Sequence, residues 1–154
     1  MDRKTSTPHS PNTLLQALAE FRYHLRAFVQ FSEHVAEDNG LRPRQHQLLL
    51  QIAGIAEDKE ANINFLAQRL GLRQNSVVEL ADRSVAEGLI RRTHHTADRR
   101  RVVLSLTDKG QKIIDALSES HARELDEFGP RLVRALEHIK TVPANGTSKE
   151  GRRR

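Results

Sequence analysis

The stretch Asn62–Gly88, NINFLAQRLGLRQNSVVELADRSVAEG, constrains this chain most. Leu66, Ala67 and Leu70 form one apolar face at helical spacing, Gly71-Leu72 interrupts it, and Val77, Leu80, Ala81 and Val85 form a second. Two short helices around a glycine turn have the offsets of a helix-turn-helix. A small residue, Ala67, sits where the helices cross, and Gly71 follows four residues on, able to take the positive φ of a tight turn. The second helix then turns Arg73, Gln74, Asn75, Ser76 and Glu79 outward, groups suited to phosphates and base edges. Similar helix pairs also occur in helical proteins that never meet nucleic acid, so this stretch alone leaves that alternative open.

The segments around it narrow the choice. From Leu14, apolar residues recur at alternating steps of four and three: Leu14, Leu18, Phe21, Leu25, Phe28, Ser32, Val35. Leu15, Val29 and Phe31 widen this heptad seam, so a helix over about 13–39 has two apolar sides and needs a partner surface. The pattern predicts a dimerisation helix; a long core helix is the alternative. Gly40 ends it and Pro43 suits the first position of the next helix, which buries Leu48, Leu49, Ile52 and Ile55. Glu57–Ala61 reads as a charged loop and Asn62 as an N-cap. After Gly88 the period changes. Leu89-Ile90 and Val102–Leu106 read as short strands around an Arg91–Arg101 loop that holds five arginines and one acid, Asp98. Thr107 caps a further helix with Ile113, Ile114, Leu117, His121 and Leu125 on one face. Gly129-Pro130 is expected to break it, leaving a last helix with Leu132, Val133, Leu136 and Ile139. The count is six helices and a two-stranded hairpin, mainly α. A disordered arm over 1–12 and a flexible basic tail over 143–154 flank one domain, 13–142.

At 154 residues the chain suits one core without staples. The charge of +5 favours a polyanionic partner. The absence of cysteine removes disulfides, thiolate metal sites and cysteine nucleophiles together. With no apolar run near the ~20 residues of a membrane span, no membrane partner is expected and the cytoplasm is the expected compartment.

A helix-turn-helix followed by a hairpin with an arginine-rich tip is a winged helix, and this chain resembles the MarR family of bacterial transcriptional regulators from Leu14 to Ile139. Its most specific pieces are Asp98-Arg99-Arg100 and Leu104-Ser105-Leu106-Thr107-Asp108-Lys109-Gly110, close to the family's DRR and LTxxG, with Ala81-Asp82-Arg83 and Glu87-Gly88-Leu89-Ile90 in support. The resemblance implies a winged helix-turn-helix over about 43–107. It also implies an obligate homodimer held by N- and C-terminal helices, about 13–39 and 108–141. The helix from Arg73 to Glu87 would enter the major groove. Arg100 would enter the minor groove, oriented by Asp98, because a narrow groove concentrates negative potential and a nearby carboxylate fixes the guanidinium fork. Arg73, Gln74, Asn75, Ser76, Glu79, Arg83, Arg91, Asp98, Arg99, Arg100 and Arg101 are the expected DNA-binding residues. Arg42 and Arg73 stand where the family tends to place Ser or Thr caps, and Ser84 where it usually has leucine.

The family's effectors, often small aromatic acids, imply a small aromatic or anionic ligand, for which Tyr23, His24 and His46 could line a pocket with Arg26 as anion partner. As core residues these side chains are equally well explained. Among the eight histidines no pair has tight ligand spacing on a helical face apart from His94-His95 in the wing, so neither metal nor cofactor is expected. No nucleophile–base pair, phosphate loop or apolar carboxylate pair suggests an enzyme. Two readings of different class stand: a ligand-responsive repressor binding a palindromic duplex operator as a homodimer, or a basic non-specific nucleic-acid-binding or helical interaction module.

Overall fold

The computed structural model describes residues 13–94 and 102–141. The expected N-terminal arm, the tip of the arginine loop and the basic tail lie outside the described residues. The elements are α1 (Thr13–Asp38), α2 (Pro43–Ala53), α3 (Ile63–Leu70), α4 (Gln74–Ala86), β1 (Ile90–His94), β2 (Val102–Leu106) and α5 (Asp108–Thr141). Contacts divide them into two units: residues 29–124 around the helix-turn-helix, and a helical unit formed by residues up to 28 and from 125.

In the first unit the core is built from Leu48, Leu49, Leu66, Val77, Ala81, Ile90, Leu104, Ile114 and Leu117, all at most 2% exposed. The periodicity of α2, α3 and α4 supplies those faces. Local chemistry sets the helix ends. The Asn62 side chain accepts from the Phe65 N–H at 2.9 Å, capping α3. Pro43 begins α2, where its missing N–H costs nothing. No side-chain cap closes α4 at Arg73. At the start of α2, Gln45 reaches back to accept the Arg42 N–H at 3.1 Å.

β1 and β2 pair antiparallel, from Ile90 opposite Leu106 to His94 opposite Val102. Arg91–His94, expected in the loop, are therefore strand. All four are exposed, so no apolar alternation marks them, and pairing with β2 decides their conformation. The Leu104 N–H also donates to the Ala61 carbonyl at 3.0 Å, tying the loop before α3 to the hairpin.

Three further expectations are corrected. There are five helices among the described residues, not six, because α5 continues through Pro130. A mid-helix proline removes one backbone hydrogen bond and crowds the preceding turn, at about 3 kcal/mol. Stopping would leave four orphan carbonyls and require a second nucleation, whereas continuation adds one bond per residue. On α4, Val85 is 38% exposed while Ser84 is fully buried. Seven residues after Val77 the helix has returned to within ~20° of the same face, whereas eight residues leave it ~80° away. The Ser84 hydroxyl meets its burial by donating to the Leu80 carbonyl at 2.8 Å. Leu125, placed on the buried face of α5, is 40% exposed.

Candidate nucleic-acid interface

The turn between α3 and α4 fixes how α4 is presented. Gly71 takes φ 62°, ψ 34°, and the Leu72 N–H donates to the Ala67 carbonyl at 3.0 Å. This closes α3 in a Schellman arrangement that only a residue at home in left-handed geometry makes without strain. Ala67 is 8% exposed beneath the crossing, and Val77, Leu80, Ala81 and Ser84 anchor α4. With that face buried, Gln74, Asn75, Glu79 and Arg83 are exposed, Arg73 is exposed at the N-cap, and Ser76 is half-buried. The helix thus offers amides, a hydroxyl, a carboxylate and guanidinium groups from a backbone held on its other side.

The hairpin is fastened to α4 at two levels. Arg92 Nη1 lies 2.7 Å from Asp82 Oδ1, joining β1 to α4, while Arg91 Nε donates to Ser105 Oγ across the strand pair at 3.1 Å. Below them, Glu87 at the end of α4 gathers three partners. Gln45 Nε2 donates to its carboxylate at 2.8 Å, Arg42 Nη1 lies 3.6 Å from it, and Lys109 Nζ donates to its carbonyl at 2.9 Å. Thr107 completes the root: its hydroxyl lies 2.6 Å from the Gly88 carbonyl, to which it donates, and accepts the Gly110 N–H at 3.1 Å. A Cβ on Gly110 would lie 2.1 Å from the Leu89 carbonyl oxygen, so the first turn of α5 packs this closely only as glycine. Of the sequence-predicted residues, Arg73, Gln74, Asn75, Ser76, Glu79, Arg83 and Arg91 lie on this unit, whereas Asp98, Arg99, Arg100 and Arg101 lie outside the described residues. Asp82 and Glu87 lie in the family-like runs Ala81–Arg83 and Glu87–Ile90, but their partners Arg92 and Gln45 carry no motif signal, since the pairs join residues up to 42 apart.

The four expected effector residues fall in both units. In the helical unit, Tyr23 is 65% exposed and meets His24 edge-on at 5.2 Å, and His24 meets Phe128 edge-on at 5.4 Å. Arg26 is exposed. His24 also lines a cleft of about 410 Å³ with Glu20, Arg131, Arg134 and His138. His46 belongs to the other unit, where it is buried and stacked on His121 at 4.9 Å. Burial, with the neighbouring His121 as the smaller cause, lowers its pKa from 6.5 to about 4. His121 Nδ1 faces the Leu117 carbonyl, and its Nε2 lies 2.7 Å from the Ser32 hydroxyl. The histidines here join α1, α2 and α5. Among the described residues no group of three or more His, Asp or Glu side chains could hold a metal ion.

The MarR family model matches residues 39–101, from the residue after α1 to the residue before β2. Residues 39–101 are a MarR family domain. Among curated relatives, the HTH-type transcriptional repressor MdtR of Bacillus subtilis is 36% identical over 99 residues, 62% of this chain and 62% of the relative. The match therefore spans less than two thirds of that relative's length. A 26% identical match to histidinol-phosphate aminotransferase of Xanthomonas euvesicatoria covers 32% of that enzyme. Among solved structures, the MarR family transcription regulator SP03579 has a TM-score of 0.69 at 22% identity, covering 86% of this chain and 87% of its own. The transcriptional repressor CouR bound to a 23-mer DNA duplex has a TM-score of 0.60 at 27% identity, covering 77% and 84%. The mainly helical architecture with a two-stranded antiparallel sheet matches MarR winged helices.

Proposed function

We propose that this MarR family chain is a transcriptional regulator that binds a palindromic duplex operator as a homodimer and represses until a small aromatic or anionic effector releases it. The observation that carries the reading is the sidedness of α4: Val77, Leu80, Ala81 and Ser84 buried, and Gln74, Asn75, Glu79 and Arg83 exposed beside a hairpin pinned by Arg92 and Asp82. Gln74, Asn75, Ser76, Glu79 and Arg83 read base edges in the major groove, Arg73 and Arg91 hold phosphates, Arg100 enters the minor groove with Asp98 orienting it, and Arg99 and Arg101 add DNA contacts beside it. A 27% identical relative of the same fold, CouR, is a repressor bound to a DNA duplex, which supports this assignment. In the dimer, α1 and the end of α5 provide the shared surface. No helix among the described residues is long and apolar enough to cross a membrane.

Selection of bound duplexes from random sequence, followed by footprinting, tests the reading. A single inverted repeat is the expected outcome; equal retention of all duplexes would favour a non-specific basic binder instead.

A further inference from the structure

Beyond the recognition helix and the hairpin, positive charge collects at a third place. A cleft of about 320 Å³ beside the helix-turn-helix turn is lined by Arg44, Gln47, Arg69, Leu70, Gly71 and Leu72. No carboxylate lines it. Arg44 is exposed and has no ion-pair partner among the described residues. Arg69, in the last turn of α3, donates from Nε to Gln51 Oε1 at 2.7 Å. That bond fixes the guanidinium by its inner nitrogen and leaves the terminal nitrogens for another acceptor. A larger cleft between α2 and α4 holds Arg42, Arg44 and Arg83, but Glu33 and Glu79 line it too and Arg42 is already paired with Glu87. Of these two clefts, the smaller is the one whose arginines face no carboxylate.

We infer that Arg44 and Arg69 form a phosphate clamp for the DNA backbone, on the α2–α3 side of the recognition helix. The assignment rests on the proposed DNA-binding function and adds two residues outside the recognition helix and the wing. The cleft adjoins the turn that begins α4, so a duplex contacted by Gln74 and Asn75 carries a backbone strand past it. Two guanidiniums and the Gln47 amide lining one cleft suit a phosphodiester, which offers two charged oxygens and no shape that differs between sequences.

Such contacts position the protein without reading sequence, so their loss must appear in salt dependence. Arg44→Gln and Arg69→Gln are each expected to weaken operator and scrambled duplex by the same factor, several-fold at moderate salt. Each should make the log–log salt slope shallower by about 0.9. Arg69→Lys keeps the charge and should retain most of the slope, which separates a lost charge from a disturbed fold; thermal melting of all variants checks the fold directly. Slopes and affinities equal to wild type in both Gln variants would overturn the clamp. If wild type itself prefers no duplex sequence, specific regulation fails, yet the slope comparison on any duplex still decides the clamp. Should inorganic phosphate raise the melting temperature of wild type but not of the Gln variants while slopes stay unchanged, the cleft holds a small free anion, and the DNA assignment is wrong.

Discussion

At the scale of single residues, two positions carry more than their type suggests. Gly110 belongs to the Leu106–Gly110 motif, and its reason is contact: a methyl group there would meet the Leu89 carbonyl oxygen at 2.1 Å, and that oxygen is backbone that cannot swing aside. Gly110→Ala is expected to cost at least the upper part of the ~1–3 kcal/mol typical of overpacking. Gly129→Ala on the same helix has open space around the new methyl and should stabilise by up to about 1 kcal/mol. Urea unfolding of both variants checks the pair; equal effects would contradict the close approach. His46 makes the second case. It is buried against His121 and its pKa falls to about 4 in the folded chain, against 6.5 unfolded. The unfolded chain therefore binds the proton more readily. The neutral form's stability is fully present above pH 6.5 and is lost progressively as pH falls toward 4, on the order of 2–3 kcal/mol. His46→Phe keeps a stacked ring without a charge, so its melting temperature should fall less than that of wild type between pH 6.5 and 4. Parallel curves would remove His46 as the cause.

At the scale of elements, recognition helix and wing should fail differently. Gln74→Ala or Asn75→Ala removes a neutral group aimed at base edges. Each should cost roughly 1–3 kcal/mol on the operator, little on scrambled duplex, and leave the salt slope nearly unchanged. Arg100→Ala removes a charge, so affinity should fall and the slope become shallower by about one. Titrations on both duplexes at several salt concentrations decide this. If Arg100→Ala binds as tightly as wild type, the minor-groove role is wrong; if the amide variants weaken both duplexes equally, base readout is wrong. These elements were legible in the sequence where one face is buried by local spacing: the α3–α4 pair, Gly71, the Asn62 cap and the Thr107 start of α5 all stand where the pattern places them. What the sequence hides is whatever depends on pairing at a distance. Arg91–His94 look like loop because neither face is apolar, and only β2 makes them strand. Pro130 looks like a break because the penalty is local while the benefit of continuing belongs to the whole of α5. The Gln45–Glu87 and Arg92–Asp82 bonds that hold α4 and the hairpin leave no trace in periodicity.

At the scale of the whole molecule, the helical unit poses a burial problem that one chain does not solve. Leu15, Leu18, Tyr23, Leu25, Leu125, Val133 and Leu136 of that unit are each at least 38% exposed. A second copy covering them gains about half the 1.5–3 kcal/mol of a full transfer for each side chain, on the order of 14 kcal/mol across both protomers. Association costs about 4–15 kcal/mol in lost freedom. The balance favours a dimer only if most of this surface is covered at once, so one charge placed within it should be enough to split the pair. Val133, 53% exposed, is the place to put it. In a monomer Val133→Arg changes a surface side chain and should shift stability by no more than about 0.5 kcal/mol. In a dimer it buries an unpaired guanidinium twice. Light scattering behind size exclusion at micromolar protein should give twice the 17.5 kDa chain mass for wild type and a smaller mass for the variant. The variant's affinity for the full palindrome should then fall toward that for a half-site, because two linked reading heads lose their shared effective concentration. A wild-type mass of one chain, or a variant that stays dimeric and binds the palindrome undiminished, would show that this surface is not where two copies meet.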